Sequence, residues 1–216
     1  MRTKTETAKI YDLLFKHFVS KRKDNYMLAH VAHENGFLYA SNGHILAKVK
    51  MEYPEEREGR AFSKTGSSEK STVPYEGTIP LNREGDVYLP EEKVKDLMAA
   101  AKNTWRTKID GKKVVINIGL PEKYYDYKMC NMTFRAEYLN AAFKLFEIRK
   151  KMPKLRISIS NVMEMKSENE DIIVLIMPVM FPIKEDDNFF YMLTIQEAIE
   201  FKNKPKNVRD LAWYER

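Results

Sequence analysis

The chain has 216 residues, 44% hydrophobic and 31% charged, enough for a packed core of one large domain or two small ones. Its 37 Lys and Arg against 31 Asp and Glu leave a net charge of +6, which points to an acidic partner, nucleic acid first. The single cysteine, Cys130, excludes an intrachain disulfide and a CxxC zinc site, and there is no signal-like or membrane-length apolar run; the expectation is a cytoplasmic protein with no membrane partner.

Residues 6–21 predict the first helix, with Thr3 and Glu6 fitting a capping box. Ile10, Leu13, Leu14 and Phe18, with Tyr11, form one apolar arc, and Lys9, Lys16 and Lys23 recur at a seven-residue spacing on the opposite face. Three strands follow at 26–33, 37–40 and 44–51. Asn35-Gly36 makes the first turn and Asn42-Gly43 the second, and Ile45, Ala47 and Val49 alternate along the third strand. Residues 52–75 have no periodicity and read as a long mobile loop.

A short strand at 86–89 leads into the second helix, where Pro90 fits the first helical position and Glu91 and Glu92 oppose the helix dipole. Val94, Leu97, Met98 and Ala101 face inward, and Lys95, Lys102 and Arg106 share another face. A hairpin at 107–109 and 113–118 turns at Asp110-Gly111, and a further strand is expected at 124–129. After a strand at 132–134, residues 135–150 predict the third helix, which buries Leu139, Ala142, Phe143 and Phe146 and leaves Lys144 and Lys151 on the far side. Strands at 156–160 and 162–165 precede the most apolar run of the chain, DIIVLIMPVMF, a buried strand that ends at Met177-Pro178. In the tail, Thr194 and Glu197 fit a capping box for a short helix over 195–202.

The same grammar therefore recurs three times: a short strand, a helix, then antiparallel strands. Basic residues near heptad spacing on each non-core helical face suggest helices that line one shared basic surface. No catalytic constellation appears. There is no GxSxG, P-loop or GxGxxG; His17, His30, His33 and His44 lack ligand spacing; and Cys130 lacks a basic activator in sequence. The expectation is a non-enzyme with no catalytic residues, no metal and no cofactor.

Two distant stretches carry a resemblance. ASNGHILA, residues 40–47, resembles the ATDGHRLA signature of bacterial DNA polymerase sliding clamps, the polymerase III beta subunits, and VLIMPVMF, residues 174–181, resembles the family's C-terminal YVVMPMRL strand. DVYLPEEKVKDLMAAA (86–101) is similar to the strand-to-helix segment of the clamp's middle domain, and TFRAEYLNAAFKLF (133–146) to that of its last domain. The resemblance implies an α+β, DNA-clamp-like fold of repeated helix-plus-antiparallel-strand units, with sheets outside and helices on one face. It implies a clamp-like domain over 1–130 with the loop 52–75 in it, a half-domain over 131–183 and a C-terminal extension over 184–216.

The same resemblance implies function. A clamp surrounds duplex DNA without reading sequence, through Lys and Arg on its inner helices; here these are Lys9, Lys16, Lys23, Lys95, Lys102, Arg106, Lys144 and Lys151. It binds DNA polymerase and other replication proteins through their short linear motifs, in an apolar pocket. Carried over by position, that pocket is Ser41, Gly43, His44, Ile45 and Leu46 with Leu175, Ile176, Met177, Pro178, Val179 and Met180. Asn42, Ile45 and Met180 replace charged residues of the family pattern, and the family chain has about twice as many repeat units. The expected function is a processivity or tethering factor, with a homo-oligomer as one way to close a ring. The alternative is a peptide-binding adaptor of phage or mobile-element origin that does not encircle DNA. Gln196, Ile199 and Phe201 fit the pattern of a clamp-binding peptide, so the tail is a candidate for self-binding.

Overall fold

A computed structural model describes residues 5–21, 28–71, 86–109, 111–119, 131–158, 162–179 and 190–201. Lys23, Cys130, Met180, the expected strand at 124–129 and the tail beyond residue 201 lie outside the described residues.

The first helix, α1 (Glu6–Leu13), is capped by Thr5, whose hydroxyl accepts from the Ala8 amide at 3.3 Å; Thr3 lies outside the described residues. It continues as a π turn over Leu14–Phe18, in which the Val19 amide reaches the Leu14 carbonyl at 3.2 Å. Strands β1 (Val31–Glu34), β2 (Phe37–Ser41) and β3 (Ile45–Lys50) form an antiparallel meander, with Asn35 and Gly36 supplying the positive φ angles of the first turn. The stretch read as a loop has regular structure in its described part. Glu55–Arg57 form a 3-10 turn, and β4 (Arg60–Phe62) and β5 (Ser68–Lys70) form a hairpin on the free side of β1. Its strands are three residues long and only half-buried, so they leave no apolar period to read in the sequence.

Strand β6 (Val87–Leu89) leads to α2 (Glu91–Thr104), for which Pro90 is the N-cap rather than the first helical residue. β7 (Lys108–Ile109) and β8 (Lys112–Gly119) form the expected hairpin, and β9 (Asn131–Arg135) leads to α3 (Ala136–Ile148). β10 (Lys154–Ser158), β11 (Val162–Lys166) and β12 (Ile172–Ile176) follow as a second meander. The tail adds a strand the sequence did not signal, β13 (Phe190–Thr194), before α4 (Ile195–Glu200), whose capping box of Thr194 and Glu197 is formed on both sides.

The strands make two sheets. One has nine strands in the order β5-β4-β1-β2-β3-β12-β11-β10-β6, and the other holds β13, β8 and β7 with β9 also on β8. Leading strands are exchanged: β6 pairs with β10 and β9 pairs with β8, so the second and third repeat units interlock. β13 runs parallel to β8, and thereby starts a fourth unit of strand and helix. The nine-stranded sheet takes strands from both sides of residue 130.

Helices cover one face, α1 against α3, α3 against α2 and α2 against α4. Their apolar arcs meet the inward positions of the sheets in one core that includes Leu97, Leu139, Phe143, Phe146, Ile157, Met163 and Val174. Each such side chain, fully buried, contributes about 1.5–3 kcal/mol of transfer free energy. The opposite face of the large sheet holds a smaller cluster of Ala32, Tyr39, Leu46, Ile173 and Leu175. It also holds a buried ion triad. Arg156 on β10 donates to Asp86 at 2.6 Å and to Glu164 on β11 at 2.8 Å, with all three side chains at most 3% exposed. The triad ties the residue before β6 to the meander.

Candidate functional site

The join between the two meanders brings the distant signatures together. β3 pairs antiparallel with β12, Leu46 opposite Leu175 and Ile45 opposite Ile176, and just past this ladder the Met177 amide donates to the His44 carbonyl at 2.8 Å. The chain then crosses to β9, where the Val179 amide donates to the Thr133 carbonyl at 2.8 Å. The turn before β3 is built by Asn42. Its side-chain oxygen accepts from the His44 and Ile45 amides at 2.9 and 3.1 Å, and its side-chain nitrogen donates to the His17 carbonyl at 3.2 Å. Gly43 supplies a φ of +87°, and its amide donates to the Ser41 hydroxyl at 3.1 Å. The turn is therefore tied at once to its own strand, to the end of the first helical segment and to β12.

Strand alternation divides the expected pocket residues. Ile45 and Ile176 point into the main core with 1% and 0% exposure, so they support the junction from beneath. Leu46 and Leu175 lie on the outward face, nearly covered, and Ser41 is also buried. Gly43 and His44 are exposed, Pro178 and Val179 are half-buried, and Met177 is 48% exposed. What a ligand can reach is thus the turn and the residues after β12, not the paired strands.

Beside that turn lies a cleft of about 550 Å³, and its lining is polar. The π turn and the residues after it contribute Lys16, His17 and Lys21, β8 contributes Lys113, Arg135 ends β9 and Tyr138 lies in the first turn of α3. His44 stacks on Tyr138 with ring centroids 6.3 Å apart, and Arg135 donates to the Tyr138 hydroxyl at 3.1 Å. Glu137 is the one carboxylate of the lining, and it accepts from Lys113 at 3.0 Å. Lys16 and Lys21 make no ion pair among the described residues. His17 stays neutral at pH 7: burial, then the charges of Lys16, Lys144 and Lys21, pull its pKa down to about 4.

The helical face carries a second basic region that joins the cleft through Lys16 and His17. Lys9, Lys16 and Lys144 border a groove of about 420 Å³ between α1 and α3, together with Asp12 and Glu147. Trp105, at the end of α2, gathers the rest. The Lys144 ammonium lies 4.4 Å and the Arg106 guanidinium 4.3 Å from its ring, and His17 meets it edge-on at 6.1 Å. Burial lowers the pKa of Lys144, and the charges of Arg106, Lys16 and Lys102 add to the effect. Lys9, Lys16, Lys102, Arg106 and Lys144 therefore share one face. Lys95 is exposed further toward the start of α2, paired with Glu91 at 2.6 Å. Lys151 does not join them; it is held by Asp171 at 2.7 Å, at the end of the β11–β12 turn. Sequence periodicity missed Trp105, Lys21, Lys113 and Arg135, because they lie outside the helical heptads.

Gln196 is exposed and bonds Glu200, whereas Ile199 and Phe201 pack on the core and the Asn103 side chain donates to the Ile199 carbonyl at 3.0 Å. The tail motif is thus an amphipathic helix on α2, away from the turn at residues 42–44. Among the described residues no three His, Cys, Asp or Glu side chains gather to hold a metal, and no helix is long and apolar enough to cross a membrane.

No protein-family model matches the sequence, and no curated protein matches it at a significant level. Solved structures do. A DNA polymerase III subunit beta from Borrelia burgdorferi superposes with a TM-score of 0.52 at 13% identity, over 82% of this chain and 63% of that one. A putative DNA polymerase III beta subunit from Eubacterium rectale superposes with a TM-score of 0.50 at 10% identity, over 85% of this chain and 65% of that one. The fold is that of the bacterial DNA polymerase III beta sliding clamps, and this chain spans 63–65% of the length of those two proteins.

Proposed function

From this clamp fold, with its helices on one face, we propose that the chain is a non-catalytic DNA-tethering factor that binds duplex DNA through that face and partner proteins through the turn at His44 and Met177. The observation that carries the reading is the gathering of Lys9, Lys16, Lys102, Arg106 and Lys144 on a face opposite the outward side of the large sheet. Cations spread across several helices suit phosphate contacts and sequence-independent binding. The two matched structures carry the name of a polymerase subunit, which agrees with a role beside a polymerase.

The experiment is retention on DNA of two topologies. Protein loaded on nicked circular duplex and on the same DNA made linear is passed through a sizing column in moderate salt. A tethering ring stays on the circle and slides off the line. Equal, weak retention on both, with a monomeric mass in solution, supports the second reading, an adaptor that engages a replication protein without surrounding DNA. That reading needs only the turn at His44 and the cleft beside it, which a single copy of the chain builds. Loss of binding to both DNAs at low salt removes the DNA part altogether.

A further inference from the structure

The cleft beside the Asn42–His44 turn is too basic to be a plain apolar anchor site. Its lining holds Lys16, Lys21, Lys113 and Arg135 against Glu137 alone, and His17 is neutral. Glu137 is already shared by Lys113 at 3.0 Å and Arg135 at 3.7 Å, so it orients these two cations without cancelling the group. At about 550 Å³ the volume suits side chains of a peptide or a small ligand. A duplex, whose phosphates lie on the outside of a stiff rod, cannot enter it. Met177 is not part of the lining, but its amide is bonded to the carbonyl of the lining residue His44 at 2.8 Å, and its half-exposed, flexible thioether can take an apolar anchor.

We propose that the occupant is an acidic linear segment of a partner protein: an apolar residue against Met177, followed by carboxylates that reach Lys21, Lys113 and Arg135. This rests on the partner-binding half of the function proposed above and names the chemistry of that partner. Charge complementarity decides it. An anionic peptide meets Lys21 and Lys16, which make no ion pair among the described residues, and carboxylates accept bidentate bonds from an Arg already held by Tyr138. Because Lys16 borders both the cleft and the helical groove, an acidic partner and DNA share a cation, and bound partner weakens DNA contact at that end of the face.

The test uses the full chain and two fluorescein-labelled peptides with the same Leu and Phe anchors, one flanked by glutamates and one by glutamines, with anisotropy as readout. The glutamate peptide binds about tenfold more tightly or better, a difference of about 1.4 kcal/mol. Lys21→Glu and Lys113→Glu each remove most of that advantage, read as the ratio of the two peptides' affinities in the same variant, with thermal melts as the check on folding. Equal affinity of the two peptides overturns the inference and leaves the tethering function standing. Binding of neither peptide overturns both the inference and the partner half, while the DNA column assay still reports on the other half. Single-stranded or duplex oligonucleotides that displace the peptide and lose affinity in Lys113→Glu also overturn it, since the cleft then takes nucleic acid.

Discussion

Neutralising the helical face gives a prediction with a worked size. If Lys9, Lys16, Lys102, Arg106 and Lys144 all meet phosphates, five counterions' worth of charge is released, and log K falls against log salt with a slope of about −4.5. Between 50 and 200 mM salt the affinity then drops about 500-fold. The triple variant Lys9→Gln/Lys16→Gln/Lys102→Gln keeps two of these cations and has a slope of about −1.8, so the same change in salt costs only about twelvefold. All three lysines are exposed, so the fold tolerates the change. The assay is anisotropy of a labelled duplex across a salt series, repeated with an unrelated sequence. A slope that stays near −4.5 in the triple variant refutes the assignment of this face, and a strong preference between the two sequences refutes phosphate-only contact.

Other perturbations separate architecture from site. Arg156→Met leaves Asp86 and Glu164 buried without their cation and destabilises the fold by about 3–5 kcal/mol, read as a shifted denaturant midpoint. Asn42→Ala removes the acceptor for two amides of the β3 turn and costs about 1–2 kcal/mol in chemical denaturation; an unchanged midpoint counts against the turn as a bracing element. Met177→Glu, at a half-exposed position, shifts stability by less than about 0.5 kcal/mol yet abolishes binding of anchor-bearing peptides. His33, fully buried against Tyr11, Tyr53 and Phe62, has its pKa lowered by burial from 6.5 to about 4. The unfolded chain takes up this proton first, so the contribution of His33 is complete above pH 6.5 and is lost as pH falls toward 4. His33 accounts for about 2 kcal/mol of stability lost between pH 7 and pH 5, and His33→Leu reduces the loss by that amount, leaving the share of His17, whose pKa is lowered likewise.

Much of the fold was legible in the residues because helices and meanders are set by neighbours in sequence. The apolar arcs of α1, α2 and α3, the Asn-Gly turns and the Thr194–Glu197 box each signal an element within a few positions. The π turn and β13 were not legible. Neither has a period of its own: the first is a local shift of register, and the second is held by the parallel edge of β8.

The sequence alone determined the three main helices, the meanders that flank them, three of the repeated units, and the clamp resemblance of the residues around His44 and Met177. Only the tertiary structure decided that β3 and β12 lie side by side, that Ile45 and Ile176 turn into the core, and that Lys151 is spent on Asp171. It alone drew Trp105, Lys21, Lys113 and Arg135 around the helical lysines. The physical reason is range. Periodicity and caps act over a turn or a pleat, whereas strand partners, ion pairs and clefts are chosen by contacts between residues tens of positions apart, which no local pattern encodes.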